Sequence, residues 1–196
     1  MTITDVLRIN GVNTPRFASP TGRLQFQTEP SRVEGLPLKS HTFHGGEDVE
    51  VEEDAQNCWW MSDGSMELER ASMAKWFPSF TEYAGDENSP PAWGGTIDTG
   101  RRKFNVLFLH RWDRGLPRVI PVTPKSLKRQ FGYRVVNSPP HIYTSGNLCV
   151  ASEEDWDPEG DDMTTVIAWT THWLANYVEW TFTGKWPSEG YQSLVA

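Results

Sequence analysis

Cys149 stands at the end of Pro139-Pro140-His141-Ile142-Tyr143-Thr144-Ser145-Gly146-Asn147-Leu148-Cys149-Val150, and an acidic exit follows it: Glu153, Glu154, Asp155, Trp156, Asp157 and Pro158. Between Leu148 and Val150 alone, a cysteine reads as a small core residue. The wider segment points to chemistry. Two prolines stiffen the approach, Gly146 permits a bend, and His141 precedes the thiol by eight positions, so a folded loop can bring an imidazole toward sulfur. His141 is therefore a candidate oxyanion donor, base or loop-orienting residue, with loop packing as the alternative. The carboxylates of the exit disfavour a thiolate, which argues against a protease-like nucleophile. They suit a thiol that carries an acyl group, because a less acidic thiol is a poorer leaving group. Asp155 and Asp157 are the acids that are candidates to orient an incoming cationic group, while helix capping and solvation are the expected use of most of the exit. Trp156 and Pro158 wall the loop.

Other chemistries find less support. Cys58, beside Trp59-Trp60, has no motif around it and reads as structural. Cys149, His141 and His172 lack the paired spacing of a zinc site, so no metal or other cofactor is expected. No Gly-rich phosphate loop opens a helix, so this chain is not expected to adenylate a substrate itself, and an activating enzyme or a substrate supplied in activated form would have to come from elsewhere. A cysteine hydrolase built on Cys149 and His141 would need a third residue to orient the imidazole, and none stands out. The chain has 196 residues, 26 acidic and 18 basic, for a formal charge of −8, which opposes nucleic-acid binding. It has no apolar run long enough to cross a bilayer, and the expectation is a cytoplasmic protein. Two cysteines do not make a disulfide framework, and ten tryptophans read as core filling.

The elements that must position Cys149 are legible from residue 61 onward. Ser65 to Phe77 is helix-forming, with Asp63 or Ser65 as cap and Pro78 as its stop. Tyr83 to Ala92 reads as a loop. Strands follow over Gly94–Ile97 and Lys103–His110 with a turn at Thr99-Gly100, then Arg118–Val122, where Pro121 marks an edge or an end. Met163 to Thr181 carries Val166, Trp169, Trp173, Tyr177 and Trp180 at helical steps, capped by Asp161 or Asp162. This order is α+β. Residues 1–60 form an extension of different character: Leu24-Gln25-Phe26-Gln27 allows a strand, and Glu47, Asp48, Glu50, Glu52, Glu53 and Asp54 read as a solvated acidic loop or, less often, a contact for a basic partner. There is no internal repeat. Residues 61–196 form the main domain.

Several of these motifs together resemble ubiquitin-conjugating (E2) enzymes. There a His-Pro-Asn triplet is followed by Ile, a Gly-containing turn, a Leu or Ile, the catalytic Cys, and then a Trp-Ser-Pro. Pro139-Pro140-His141 occupies the triplet, Cys149 the nucleophile's place, and Trp156-Asp157-Pro158 the downstream motif. Phe77-Pro78, Trp93-Gly94-Gly95 and Thr183-Gly184-Lys185-Trp186 resemble bacterial E2-like proteins found in antiviral CBASS-type operons, and the likeness covers roughly residues 65 to 187. It implies an E2-like fold: an N-terminal helix, an antiparallel meander sheet, an irregular cysteine-bearing segment and a C-terminal helix. It also implies that Cys149 carries the C-terminus of a ubiquitin-like protein or of a cGAS-like nucleotidyltransferase as a thioester and passes it to a lysine. His141 stands where the family has Asn. The alternative is a catalytically silent E2-like binding module.

Overall fold

The computed structural model describes residues 15–26, 35–51, 58–125, 127–131, 134–136 and 138–191. Gln27 of the possible first strand and Glu52, Glu53 and Asp54 of the acidic cluster lie outside them. The described chain is α+β. Its first part holds four two-residue strands, β1 (Phe17–Ala18), β2 (Leu24–Gln25), β3 (Leu36–Pro37) and β4 (His41–Thr42). Helix α1 (Glu67–Trp76) is followed by the meander β5 (Thr81–Tyr83), β6 (Ala92–Asp98), β7 (Lys103–Leu109) and β8 (Arg118–Thr123). A small hairpin, β9 (Arg129–Phe131) and β10 (Arg134–Val136), precedes the irregular segment with Cys149; α2 (Met163–Thr183) and β11 (Gly190–Tyr191) close the fold.

Strands β5-β6-β7-β8 form one antiparallel sheet in chain order. Along β7, Phe104, Val106 and Phe108 are buried while Lys103 and Asn105 are exposed, the alternation of a sheet with one covered face. Pro121 lies in β8 at the sheet's edge, beside the register irregularity at Asn105/Val106 in β7, which fits a residue with no N–H to donate. The turn between β6 and β7 is closed by Thr99 N–H to the Arg102 carbonyl at 3.0 Å, with Gly100 at φ +83°. The expected loop after Tyr83 is shorter at its start, since Thr81–Tyr83 pairs with β6.

Neither Asp63 nor Ser65 caps α1. A turn around Gly64 (φ +81°) intervenes, Met66 takes the cap position, and the Ser65 hydroxyl donates instead to the Trp60 carbonyl at 2.9 Å. Phe77 and Pro78 end the helix as expected. On α2, Asp162 accepts from Thr164 N–H at 2.9 Å and is the cap, while Asp161 pairs with Lys39 and Thr165. Gly184 ends α2 in the left-handed conformation at φ +74°.

The apolar stripe expected on α2 is only part of what it buries. Sixteen of its 21 residues are buried, so the helix is covered all round. The sheet takes one side; on the other, Ala18, Leu38 and Phe43 from the first 60 residues join the same core as Trp169, Trp173 and Tyr177. The Trp169 indole N–H donates to the Lys39 carbonyl at 3.2 Å, β4 pairs with β11, and His41 Nε2 meets His172 Nδ1 at 2.9 Å. Glu69 staples α1 to the rest: its carboxylate accepts from the Trp93 indole (2.8 Å), His110 Nε2 (2.9 Å) and the Met163 amide (3.1 Å) at the start of α2.

Candidate active site around Cys149

The Cys149 loop is pinned at three points. Leu148 N–H donates to the Val119 carbonyl of β8 at 2.8 Å, Cys149 N–H to the His141 carbonyl at 3.1 Å, and the Trp173 indole of α2 to that same carbonyl at 2.9 Å. Between these anchors, Tyr143 N–H reaches the Asn147 carbonyl at 2.9 Å and Gly146, at φ +93°, makes the tight bend. His141 sits at φ +56°, a left-handed conformation that few non-glycine residues adopt. The structure thus joins His141 and Cys149 through their main chains. The His141 ring is turned away to other partners, with Nδ1 2.6 Å from the His44 carbonyl and Nε2 3.0 Å from a Glu189 carboxylate oxygen.

The groups that meet the sulfur come from elsewhere. His44 N–H points at Cys149 Sγ at 3.2 Å, the thiol itself faces the Ala151 carbonyl at 3.7 Å, and the Tyr143 phenol is the side chain whose influence favours the thiolate. Cys149 is 0% exposed. Burial pushes its thiol above the ordinary cysteine range; Tyr143 and His44 offset part of this, and the carboxylates of Asp48 and Glu153 add to it. Burial and the neighbouring sulfur likewise push the Tyr143 phenol upward. The thiol is therefore held protonated at neutral pH.

A small pocket lies beside the loop, lined by Asp48, Arg111, Arg118, Tyr143, Asn147 and Glu153 among others. Cys149 does not line it, but its neighbours Tyr143 and Leu148 do. The two pocket carboxylates are occupied. Glu153 pairs with buried Arg111 and accepts from Leu116 N–H at 3.2 Å; Asp48 accepts from Ser145 and from the Asn147 side-chain amide at 2.7 Å.

The acidic exit is a folded turn. Asp155 accepts from Ser152 N–H (3.0 Å) in a capping box and from Thr42 N–H (2.8 Å), which fixes β4 over the exit. Asp157 accepts from Glu159 N–H at 3.1 Å. The Trp156 indole donates to the Arg114 carbonyl at 2.9 Å and the ring packs against the core, while the Pro158 carbonyl accepts from Arg114 at 3.3 Å. Among the described residues no cluster of His, Cys, Asp or Glu could hold a metal, no disulfide joins Cys58 to Cys149, and no helix is long and apolar enough to cross a membrane.

Sequence reasoning missed His44, Asp48 and Tyr143. Tyr143 sits inside the cysteine segment and was open to discovery there. His44 is 105 positions from Cys149, and a contact made by a main-chain N–H leaves no mark in residue type.

A family model described as Type II CBASS E2 protein matches residues 69–193, more than half of the chain. No curated protein and no solved structure matches. The chain belongs to the type II CBASS E2 family, which gives it an E2-like role in CBASS antiviral systems.

Proposed function

We propose that this CBASS E2 protein carries the C-terminus of a partner protein as a thioester on Cys149 and delivers it to an amine. The carrying observation is the sulfur itself: it lies inside the family-matched segment, in a loop whose Tyr143 and Leu148 line a small pocket, and it has a main-chain N–H directed at it. A free carboxylate does not acylate a thiol, so the partner's C-terminus must arrive activated by a separate E1-like enzyme. The Cys149 sulfur attacks that carbonyl and loses its proton, the activating group leaves, and a C–S bond forms. An acceptor lysine amine then attacks the thioester, the C–N bond forms, and the thiol is returned on protonation. The developing oxyanion needs a donor, and Tyr143, whose phenol acts on the sulfur, is the residue we assign to it. His141 acts as the loop's hinge and orienter, through its carbonyl and its left-handed backbone. Asp155 and Asp157, with Trp156 and Pro158, shape the exit along which an acceptor lysine approaches.

The α+β order of helix, antiparallel meander, irregular cysteine segment and long helix supports an E2-like arrangement of residues 61–196, with residues 1–60 as an extension whose Ala18, Leu38 and Phe43 pack on it. The transferred chain is a ubiquitin-like protein or the C-terminus of a cGAS-like nucleotidyltransferase encoded in the same operon.

A second reading, a silent E2-like binding module, is favoured by one observation, the full burial of Cys149. Incubating the protein with the products of its operon separates the two. The carrier reading expects an adduct that thiol reductant removes and that Cys149→Ala never forms; absence of any adduct, or one that reductant leaves intact, supports the module.

A further inference from the structure

The cover over Cys149 is the chain's own segment His44–Asp48, and it lies outside the region matched to the family. Phe43, buried at 3% exposure, anchors the segment at one end; His44, Gly45, Gly46 and Glu47 are exposed. From His44 to Gly46 the segment meets the cysteine loop through its main chain. The His44 carbonyl meets His141 Nδ1 at 2.6 Å, and the Gly46 carbonyl accepts from both the Thr144 N–H (2.9 Å) and the Thr144 hydroxyl (3.0 Å). Gly46 forms a parallel bridge with Tyr143, and Asp48 latches the far end to Ser145 and Asn147. Gripping the carbonyls at positions 44 and 46 is main-chain recognition of a polypeptide, and the positive φ of Gly46 (+107°) favours glycine at the second place.

We infer that the Cys149 loop is a docking site for a polypeptide tail, and that residues His44–Asp48 occupy it as an internal stand-in that must lift before a tail reaches the sulfur. This rests on the carrier reading for the identity of the visitor, an activated C-terminal tail. The occupancy itself does not. His141 Nδ1, Thr144 N–H and Thr144 Oγ1 are released when the strap lifts and are then available to a tail's carbonyls. His44 N–H leaves with the strap, so the sulfur gives up its main-chain donor when a tail enters. The pocket has Asp48 and Val49 on one wall and Tyr143, Asn147 and Leu148 on another, so lifting the strap extends it toward Cys149.

The test is iodoacetamide alkylation of the full-length protein, followed at the Cys149 peptide by mass spectrometry, with amide hydrogen exchange at Thr144 and Leu148 in parallel. Asp48→Ala, and separately Ser145→Ala with Asn147→Ala, remove the same latch from its two sides. Both are expected to raise alkylation about tenfold or more and to speed exchange at Thr144, whose partner is on the strap, while Leu148, bonded to β8, keeps its protection. Alkylation at the wild-type rate in both variants overturns the inference. So does faster exchange at Thr144 and Leu148 together, since that is general unfolding. If both variants alkylate faster yet no variant forms a reductant-sensitive adduct, the strap stands and the carrier reading fails.

Discussion

Acid should unfasten the extension from the core by way of two histidines. His41 Nδ1 donates to the Lys39 carbonyl at 2.9 Å, its Nε2 meets His172 Nδ1, and His172 Nε2 faces the Ser188 hydroxyl at 3.4 Å. That chain of bonds is complete with both rings neutral. Around them stand Phe43, Trp169 and Tyr191, and the Asp155 carboxylate is the charged group that favours protonation of His41. Burial outweighs it and lowers His41 to about 4; burial and the His41 charge hold His172 well below the usual histidine range. Both values fall below the unfolded one near 6.5, so the unfolded chain binds more protons between them. The stability contributed is full above pH 6.5 and is lost as pH falls toward 4. For His41 alone, lowering pH from about 7 to about 5 costs about 2 kcal/mol, and His172 adds in the same direction. Urea unfolding followed by tryptophan fluorescence across that interval, above the range where most carboxylates titrate, reads the loss directly. His172→Gln should roughly halve the dependence. A free energy of unfolding that stays flat over the interval, or a His172→Gln variant with an unchanged slope, would refute the reasoning.

Glu69→Ala should cost about 3 to 5 kcal/mol in denaturant unfolding, because it strands the buried Trp93 indole, His110 and the Met163 amide; Glu69→Gln, which keeps an acceptor, should cost less. Despite burial, the bonds from His110, Trp93 and Met163 hold the Glu69 carboxyl below the ordinary range. Its contribution is thus present above about pH 4.3 and lost as pH falls through its folded value. Trp173→Phe removes one of the two donors to the His141 carbonyl while keeping an aromatic ring, so it should lower stability by about 1 to 2 kcal/mol and speed hydrogen exchange at the Cys149 amide. The pH profile of Cys149 alkylation should lie above that of an ordinary cysteine, and a profile at or below the ordinary one would contradict the burial seen here.

Elements whose residues repeat over many positions were open to reading from the chain. Strand β7 alternates, α2 carries aromatic residues at helical steps, Pro78 stops α1, and Asp162 caps α2. The first 60 residues were opaque for a physical reason: β1 to β4 are two residues each, too short for a period of two to register, and β4 is held by β11 at the far end of the chain. Their presence turned the expected stripe on α2 into a helix buried on every side. At the site, residue type singled out Cys149 and its loop, but not the main-chain contacts that surround it. Asp48 read as one acid in a solvated run, whereas it spans 99 positions to bond Asn147.

The most direct measurement is the chemistry of the bond at residue 149. With the activated partner supplied, wild type should form an adduct that thiol reductant cleaves, Cys149→Ser one that resists reductant because an ester replaces the thioester, and Cys149→Ala none. An adduct of unchanged stability in Cys149→Ser, or any adduct in Cys149→Ala, would place the acyl group on another residue and contradict the account.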